Sequence, residues 1–191
     1  DKALLRGVAQ AAAEITALVQ EGVGEAGDIL EAAEQKVYAV RRGQSAQDMV
    51  PLRQVLPDYD IVVDATDQLE NKFLINDVCV SAEKPFVHGG ITGFSGQVMT
   101  YVPEKGPCYR CIFGEVPEDN APAPIPVIGV TAGIIGTIQA AEAIRYLLGI
   151  PSLLTGKLLV LDGLRMQFRT VSFPHVSEHC PLHTRKGVTD L

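Results

Sequence analysis

Basic residues are scarce beside acidic ones: 16 Lys and Arg stand against 23 Asp and Glu, a formal charge of −7. A protein that grips a phosphate backbone needs the opposite balance, so nucleic acid is excluded as the main partner. Cysteine is also sparse, with four residues. Two of them form a C-x-x-C, which is not the pattern of a disulfide scaffold. No staple is needed, because a chain of 191 residues buries roughly 70% of its unfolded surface. Internal repeats and low-complexity tracts are lacking. So is a secretory signal: Asp1 to Gly7 is charged and the Ala-rich run after it holds Glu14, so the expected compartment is the cytoplasm. The longest uncharged run, Ala121 to Ala141, is broken by Pro122, Pro124 and Pro126. A helix there starts no earlier than about Val127, which leaves a core helix instead of a membrane span.

With 47% apolar and 20% charged residues, what remains is an ordinary globular composition. Residues 3–21 have helical spacing and Lys36 to Val40 is a weak strand candidate. Asp60-Ile-Val-Val-Asp64 has the pattern of a doubly buried parallel strand. An amphipathic helix is predicted over Leu69 to Ala82, and a second buried strand over Phe86-Val-His88. Together they make a βαβ unit. Gln97 to Val102 alternates as an antiparallel strand does. A long helix is predicted from about Ile128 to Leu148, stopped by Gly149 and Pro151. Leu158–Leu161 and Met166–Phe173 suggest a hairpin through Asp162-Gly163. The expected class is α/β, a partly parallel sheet with an antiparallel extension.

Two constellations carry chemistry. Cys108-Tyr-Arg-Cys111 places two sulfurs where one tetrahedral metal can take both, and Cys180-Pro-Leu-His183 supplies two further donors. Both segments follow strands, which are expected to be neighbours. His175 and His179 compete for the fourth place, but the paired spacing favours His183. A thioredoxin-like dithiol is the alternative; it normally opens a helix, whereas Pro107 and Gly114 bracket this motif. The second constellation is Asp64-Ala-Thr-Asp67, at a strand end running into a helix N-terminus, where α/β sheets place phosphate ligands. Asp67 either binds a magnesium ion bridging phosphates or caps the helix. Gly22-Val-Gly24-Glu-Ala-Gly27 matches G-x-G-x-x-G but follows a helical segment instead of a strand, so it fails as a dinucleotide loop. Cys79 is expected to be an inert core thiol. Gly89, Gly90, Gly93 and Gly96 allow close backbone approach, by a ligand or by packing.

Together these residues resemble the ThiF/MoeB/HesA family, the ubiquitin-activating-like adenylyltransferases of sulfur-carrier proteins. The resemblance spans roughly Lys36 to His183 and rests on Asp60-Ile-Val-Val-Asp-Ala-Thr-Asp67, Leu74-Ile-Asn-Asp-Val-Cys79, Cys108-Tyr-Arg-Cys111, Gly133-Ile-Ile-Gly-Thr-Ile-Gln-Ala140 and Cys180-Pro-Leu-His183. It implies a Rossmann-like nucleotide-binding sheet with a zinc-binding lobe, a homodimer with structural zinc, and a reaction that joins AMP from Mg-ATP to the Gly-Gly carboxylate of a ubiquitin-like sulfur carrier. It further implies Asp67 as the catalytic residue, with Asp64, Thr66 and Asp67 as the ATP and magnesium set. Cys108, Cys111, Cys180 and His183 become the zinc ligands, His183 standing where the family has a fourth cysteine. The family's ATP loop, a strand ending in G-x-G-G-x-G, is not found. The chain reads as an N-terminal helical segment, 1–35, joined to a ThiF/MoeB-like domain, 36–191, with most of the first βαβαβ half removed near Gln35–Lys36, through deletion or because that stretch is not represented in the sequence. The alternative function is a non-catalytic, zinc-bearing member that binds a carrier or dimerises without adenylation.

Overall fold

The computed structural model describes residues 37–40, 52–116 and 126–184. The segment 1–35, the G-x-G-x-x-G stretch and most of the Ser45–Leu56 turn lie outside the described residues. In chain order the elements are β1 (Val37–Val40), α1 (Leu52–Val55), a 3-10 turn (Leu56–Asp58), β2 (Ile61–Asp64), α2 (Leu69–Ser81), β3 (Phe86–Thr92), β4 (Ser95–Tyr101), α3 (Tyr109–Phe113), α4 (Gly129–Leu147), β5 (Lys157–Asp162), β6 (Gln167–Ser172) and α5 (Pro181–Thr184). They build one six-stranded sheet in the order β1-β2-β3-β4-β5-β6. β1, β2 and β3 are parallel, and every later pair is antiparallel. The expected mixed sheet is therefore present, and β2-α2-β3 is its parallel unit.

Alternation along each strand sorts side chains into two layers. Val62, Phe86 and Met99 join Leu56, Phe73, Tyr101, Tyr109, Leu158 and Cys180 in a core beneath α2 and the cysteine motifs. Their neighbours Ile61, Val87 and Val98 face the other way, against Ile135 and Ala143 of α4. Helices thus cover both faces of the sheet.

Several elements differ in detail from the sequence reading. α2 is not amphipathic: Asn71, Lys72, Phe73, Ile75, Asn76, Val78, Cys79 and Val80 are all buried, because α3 and α5 with their cysteine motifs pack over the face that would otherwise meet water. α4 is only partly a core helix. Its inner face buries Thr131, Ile135, Gln139, Glu142 and Ala143, while Val130 in its first turn is exposed. Polar groups dock it: the Thr100 hydroxyl and the Leu154 amide both donate to Glu142, at 2.6 and 2.7 Å. Its C-terminus closes as predicted, with Gly149 N–H on the Tyr146 carbonyl and Ile150 N–H on the Arg145 carbonyl, both at 2.9 Å, around Gly149 at φ +68°. That is the paired closure of a helix ending in a left-handed glycine.

The β5–β6 hairpin turns through residues 163–166 instead of through Asp162-Gly163 alone. Gly163 is required for a different reason: a Cβ there would sit 2.5 Å from the Phe94 carbonyl oxygen, which accepts the Gly163 amide at 2.8 Å. Gly163→Ala should therefore cost about 1–3 kcal/mol through forced backbone displacement. Gly136→Ala, inside α4 with nothing near its would-be Cβ, should stabilise by about 0.4–1 kcal/mol. Urea unfolding of the two variants checks the opposite signs.

Candidate metal centre and the Asp64 cluster

β4 ends at Tyr101 and β6 at Ser172 on the same side of the sheet, and the loops that follow them meet. The strands are not neighbours, since β5 lies between them; the loops converge because both leave the same end. Cys108, Cys111, Cys180 and His183 come together with their ligand atoms within 4.8 Å of one another. The Cys108 sulfur lies 3.7 Å from those of Cys111 and Cys180. His183 Nδ1 is 3.3 Å from Cys111 Sγ and 4.0 Å from Cys108 Sγ. A tetrahedral zinc with bonds of about 2.3 Å to sulfur and 2.0 Å to nitrogen spaces its ligands at roughly 3.5–3.8 Å, so the set fits such an ion. His175 and His179 are exposed and stand outside the cluster. Contrary to the expectation from Pro107 and Gly114, the C-x-x-C does open a short helix, with Cys108 at the N-cap of α3; the dithiol reading gains nothing from this, because the Cys180 sulfur is as close to Cys108 as that of Cys111 is.

The three thiols are strongly shifted from one another. Cys111 is pushed down to about 5, chiefly by the hydrogen bond with Cys108. The same bond, and then burial, push Cys108 far up, and burial raises Cys180. One negative sulfur is tolerated and further ones are resisted unless a positive ion is supplied.

The second cluster lies at the carboxyl ends of β2 and β3, where open α/β sheets bind ligands. Asp64 is 1% exposed. Its Oδ1 accepts the Thr66 amide at 3.0 Å and hydroxyl at 2.7 Å. Its Oδ2 accepts Lys72 Nζ at 3.2 Å and His88 Nδ1 at 2.9 Å. Burial alone would raise the carboxyl, but the Lys72 charge and then the bonds from His88 and Thr66 outweigh it and hold Asp64 below the usual carboxylate range. An ionised Asp64 can only accept, so His88 carries its proton on Nδ1. Its Nε2 then accepts from the Gln97 amide at 3.3 Å. Burial, reinforced by the Lys72 charge, lowers His88 and keeps the imidazole neutral. Lys72 also donates to the Gly89 carbonyl at 2.7 Å. From α4, Gln139 donates to the backbone oxygens of Asp64 and Val87 at 2.7 and 3.3 Å.

Asp64 and Thr66 thus face inward, while Asp67 is exposed in the loop ahead of α2. Asp67 is not the cap of that helix; Gln68 holds the position, without a side-chain cap bond. The close approach at Gly89 and Gly96 is packing, since a Cβ at either would collide with Gln139 or Ile135. Sequence reasoning missed Lys72, His88, Gln97 and Gln139. The available signal was a cation and an imidazole inside segments otherwise reading as core, where such groups need partners. A cleft of ≈ 600 Å³ lined by Asp60, Lys105 and Tyr146 opens at the opposite end of β2 and contains none of these residues.

The ThiF family matches residues 26–182. The SAMP-activating enzyme E1 of Haloferax volcanii is 41% identical over 150 residues, 75% of this chain and 54% of that protein. The adenylyltransferase and sulfurtransferase MOCS3 of Culex quinquefasciatus is 39% identical over 129 residues, 66% of this chain and 30% of that protein. The chain therefore spans about half or less of the length of these relatives. Among solved structures, Escherichia coli MccB with ATP aligns at TM-score 0.60 and 21% identity, over 73% of this chain and 43% of that one. A likeness at that identity speaks for the fold alone.

Two predictions follow from the Asp64 cluster. Lys72→Met leaves Asp64 buried beside fewer donors and should cost about 3–5 kcal/mol in urea unfolding. Asp64 and His88 are both held below their unfolded values, so each contributes stability that is present above the unfolded value, about pH 4 for Asp and 6.5 for His, and is lost as pH falls below it. Replacing His88 with Gln should flatten the fall in unfolding free energy between pH 7 and 5 relative to the parent. A parent and variant with equal slopes would contradict the buried neutral imidazole.

Proposed function

The chain belongs to the ThiF family, and on that premise we propose that it joins AMP from Mg-ATP to the C-terminal Gly-Gly carboxylate of a ubiquitin-like sulfur-carrier protein, releasing pyrophosphate. The observation that carries this reading is the Asp64–Asp67 turn at the carboxyl end of a parallel strand. One aspartate is locked inside as a scaffold, and the other is presented to solvent beside a helix N-terminus. The relatives' names support the same activity, and the MccB likeness supports a fold able to carry it.

In this reading Asp67 would hold a magnesium ion that offsets ATP phosphate charge, and the first-turn amides of α2 would complement the same charge. Asp64 and Thr66 shape the turn from beneath. Electrostatic preorganisation of this kind supplies most of the rate in phosphoryl and adenylyl chemistry. Cys108, Cys111, Cys180 and His183 hold zinc as a structural ion, which ties α3 to α5. The sulfur carrier is the protein partner, and the working form is a homodimer.

One observation favours a second reading. The sequence shows no G-x-G-G-x-G strand end ahead of β2; in this reading the protein is a zinc-bearing family member that binds a carrier or dimerises without adenylating it.

ATP–pyrophosphate exchange with a Gly-Gly-ending carrier decides between the two. Exchange should be present and should fall by at least about 100-fold in Asp67→Ala, the scale of losing one preorganised charge-stabilising group. Carrier binding with no exchange above background would overturn the adenylation reading and leave the second. Elemental analysis of the same sample should find one zinc per chain, and Cys180→Ser should lower that occupancy.

A further inference from the structure

α3 is a single helical turn, and its faces serve different neighbours. Cys108 and Cys111, three residues apart, point to the metal cluster. Tyr109 and Phe113, four apart, stack on each other with centroids 4.3 Å apart and point to the Asp64 cluster. The Tyr109 ring lies 4.6 Å from the His88 imidazole at 60°, and Phe113 flanks the same imidazole at 6.1 Å. Phe73 meets Tyr109 edge-on at 5.0 Å. The backbone is held as well: the Tyr109 amide donates to Asn76 Oδ1 at 2.9 Å, and Arg110 makes a two-pronged pair with Asp77 while covering the Phe73 ring.

We propose that Tyr109 is a positioning residue through which the filled metal centre sets the orientation of His88, and through it the Asp64 carboxylate that shapes the turn carrying Asp67. An isolated single turn has no stability of its own, so the direction in which α3 aims Tyr109 depends on the clamps at its ends. α2 supplies one through Asn76 and Asp77, and the four metal ligands supply the other. His88 is wholly buried, with both ring nitrogens engaged. Its remaining freedom is rotation of the ring plane, and the Tyr109 ring occupies the space that rotation needs. With the metal gone or the ring removed, the imidazole can turn, and the Nδ1–H bond to Asp64 is lost. Thr66 and Lys72 then hold the carboxylate alone. This inference rests on the adenylation reading only where it speaks of activity; the link from metal to His88 stands apart from it.

The test uses the full chain with ¹⁵N-labelled histidine, the His88 resonances being assigned through His88→Gln. The zinc-loaded protein should show Nδ1 protonated and Nε2 bare. Removal of zinc by a chelator, verified by elemental analysis, should shift or broaden the His88 ring signals. Tyr109→Leu should do the same with zinc retained, and Tyr109→Phe, which keeps the ring, should restore the parent spectrum. In parallel, Tyr109→Leu should lower kcat/KM for MgATP exchange by roughly 10- to 100-fold, as a misplaced reacting geometry does. Tyr109→Phe should recover it. An unchanged His88 spectrum in zinc-free protein that keeps its circular dichroism would overturn the proposal, as would an unchanged spectrum in zinc-loaded Tyr109→Leu. If chelation unfolds the chain, the zinc-loaded Tyr109→Leu protein decides. If the parent shows no exchange, the adenylation reading falls and the spectra still decide the role of Tyr109.

Discussion

A carboxylate removed from water must find its compensation in the protein, and Asp64 finds it from every side. Its donors come from the following loop (Thr66), from α2 (Lys72) and from β3 (His88). A buried ion pair of this kind adds little net stability over an apolar pair of the same shape, but it tolerates few alternative arrangements. That intolerance fixes the exit of β2, the entry of α2 and the path of β3 relative to one another. Once they are fixed, the exposed Asp67 has one place to be.

The metal centre solves a different problem by similar means. Its four donors come from two loops far apart in sequence. Around them the chain offers α3 and α5, of five and four residues, which are too short to persist unaided. The four donors sit where one cation could tie the two loops together. The aromatic side chains of α3 join those loops to the core beneath α2.

The architecture was largely legible in the sequence because it is written in local patterns. The β2 run Ile61–Asp64, the α2 boundaries and the Gly149 stop depend on neighbours within a few residues, and each was found within a residue or two. The metal set was legible because two short motifs of matched spacing declare themselves. The Asp64 network was not, since Lys72, His88, Gln97 and Gln139 acquire meaning only when the sheet brings four elements together. For the same reason the burial of α2 on nearly all sides was missed: the lobe that covers it is distant in sequence. The turn between β5 and β6 was misread because Gly163 answers to the carbonyl of Phe94 and not to its own hairpin.

Residue 64 is gripped twice, by its side chain from the α2 layer and by its carbonyl from Gln139 of α4. No rearrangement that separates either helix layer from the sheet can leave this residue undisturbed. Native proteins open in cooperative units of differing free energy, and a point held by both layers belongs to the last unit to open. The amides around the end of β2 should then exchange with solvent only in global unfolding, while the outer hairpin of β5 and β6, whose last strand is exposed along its whole length, opens far more often. Local dynamics in this molecule would be graded across the sheet, slowest where the two layers meet through a single residue and fastest at the antiparallel edge.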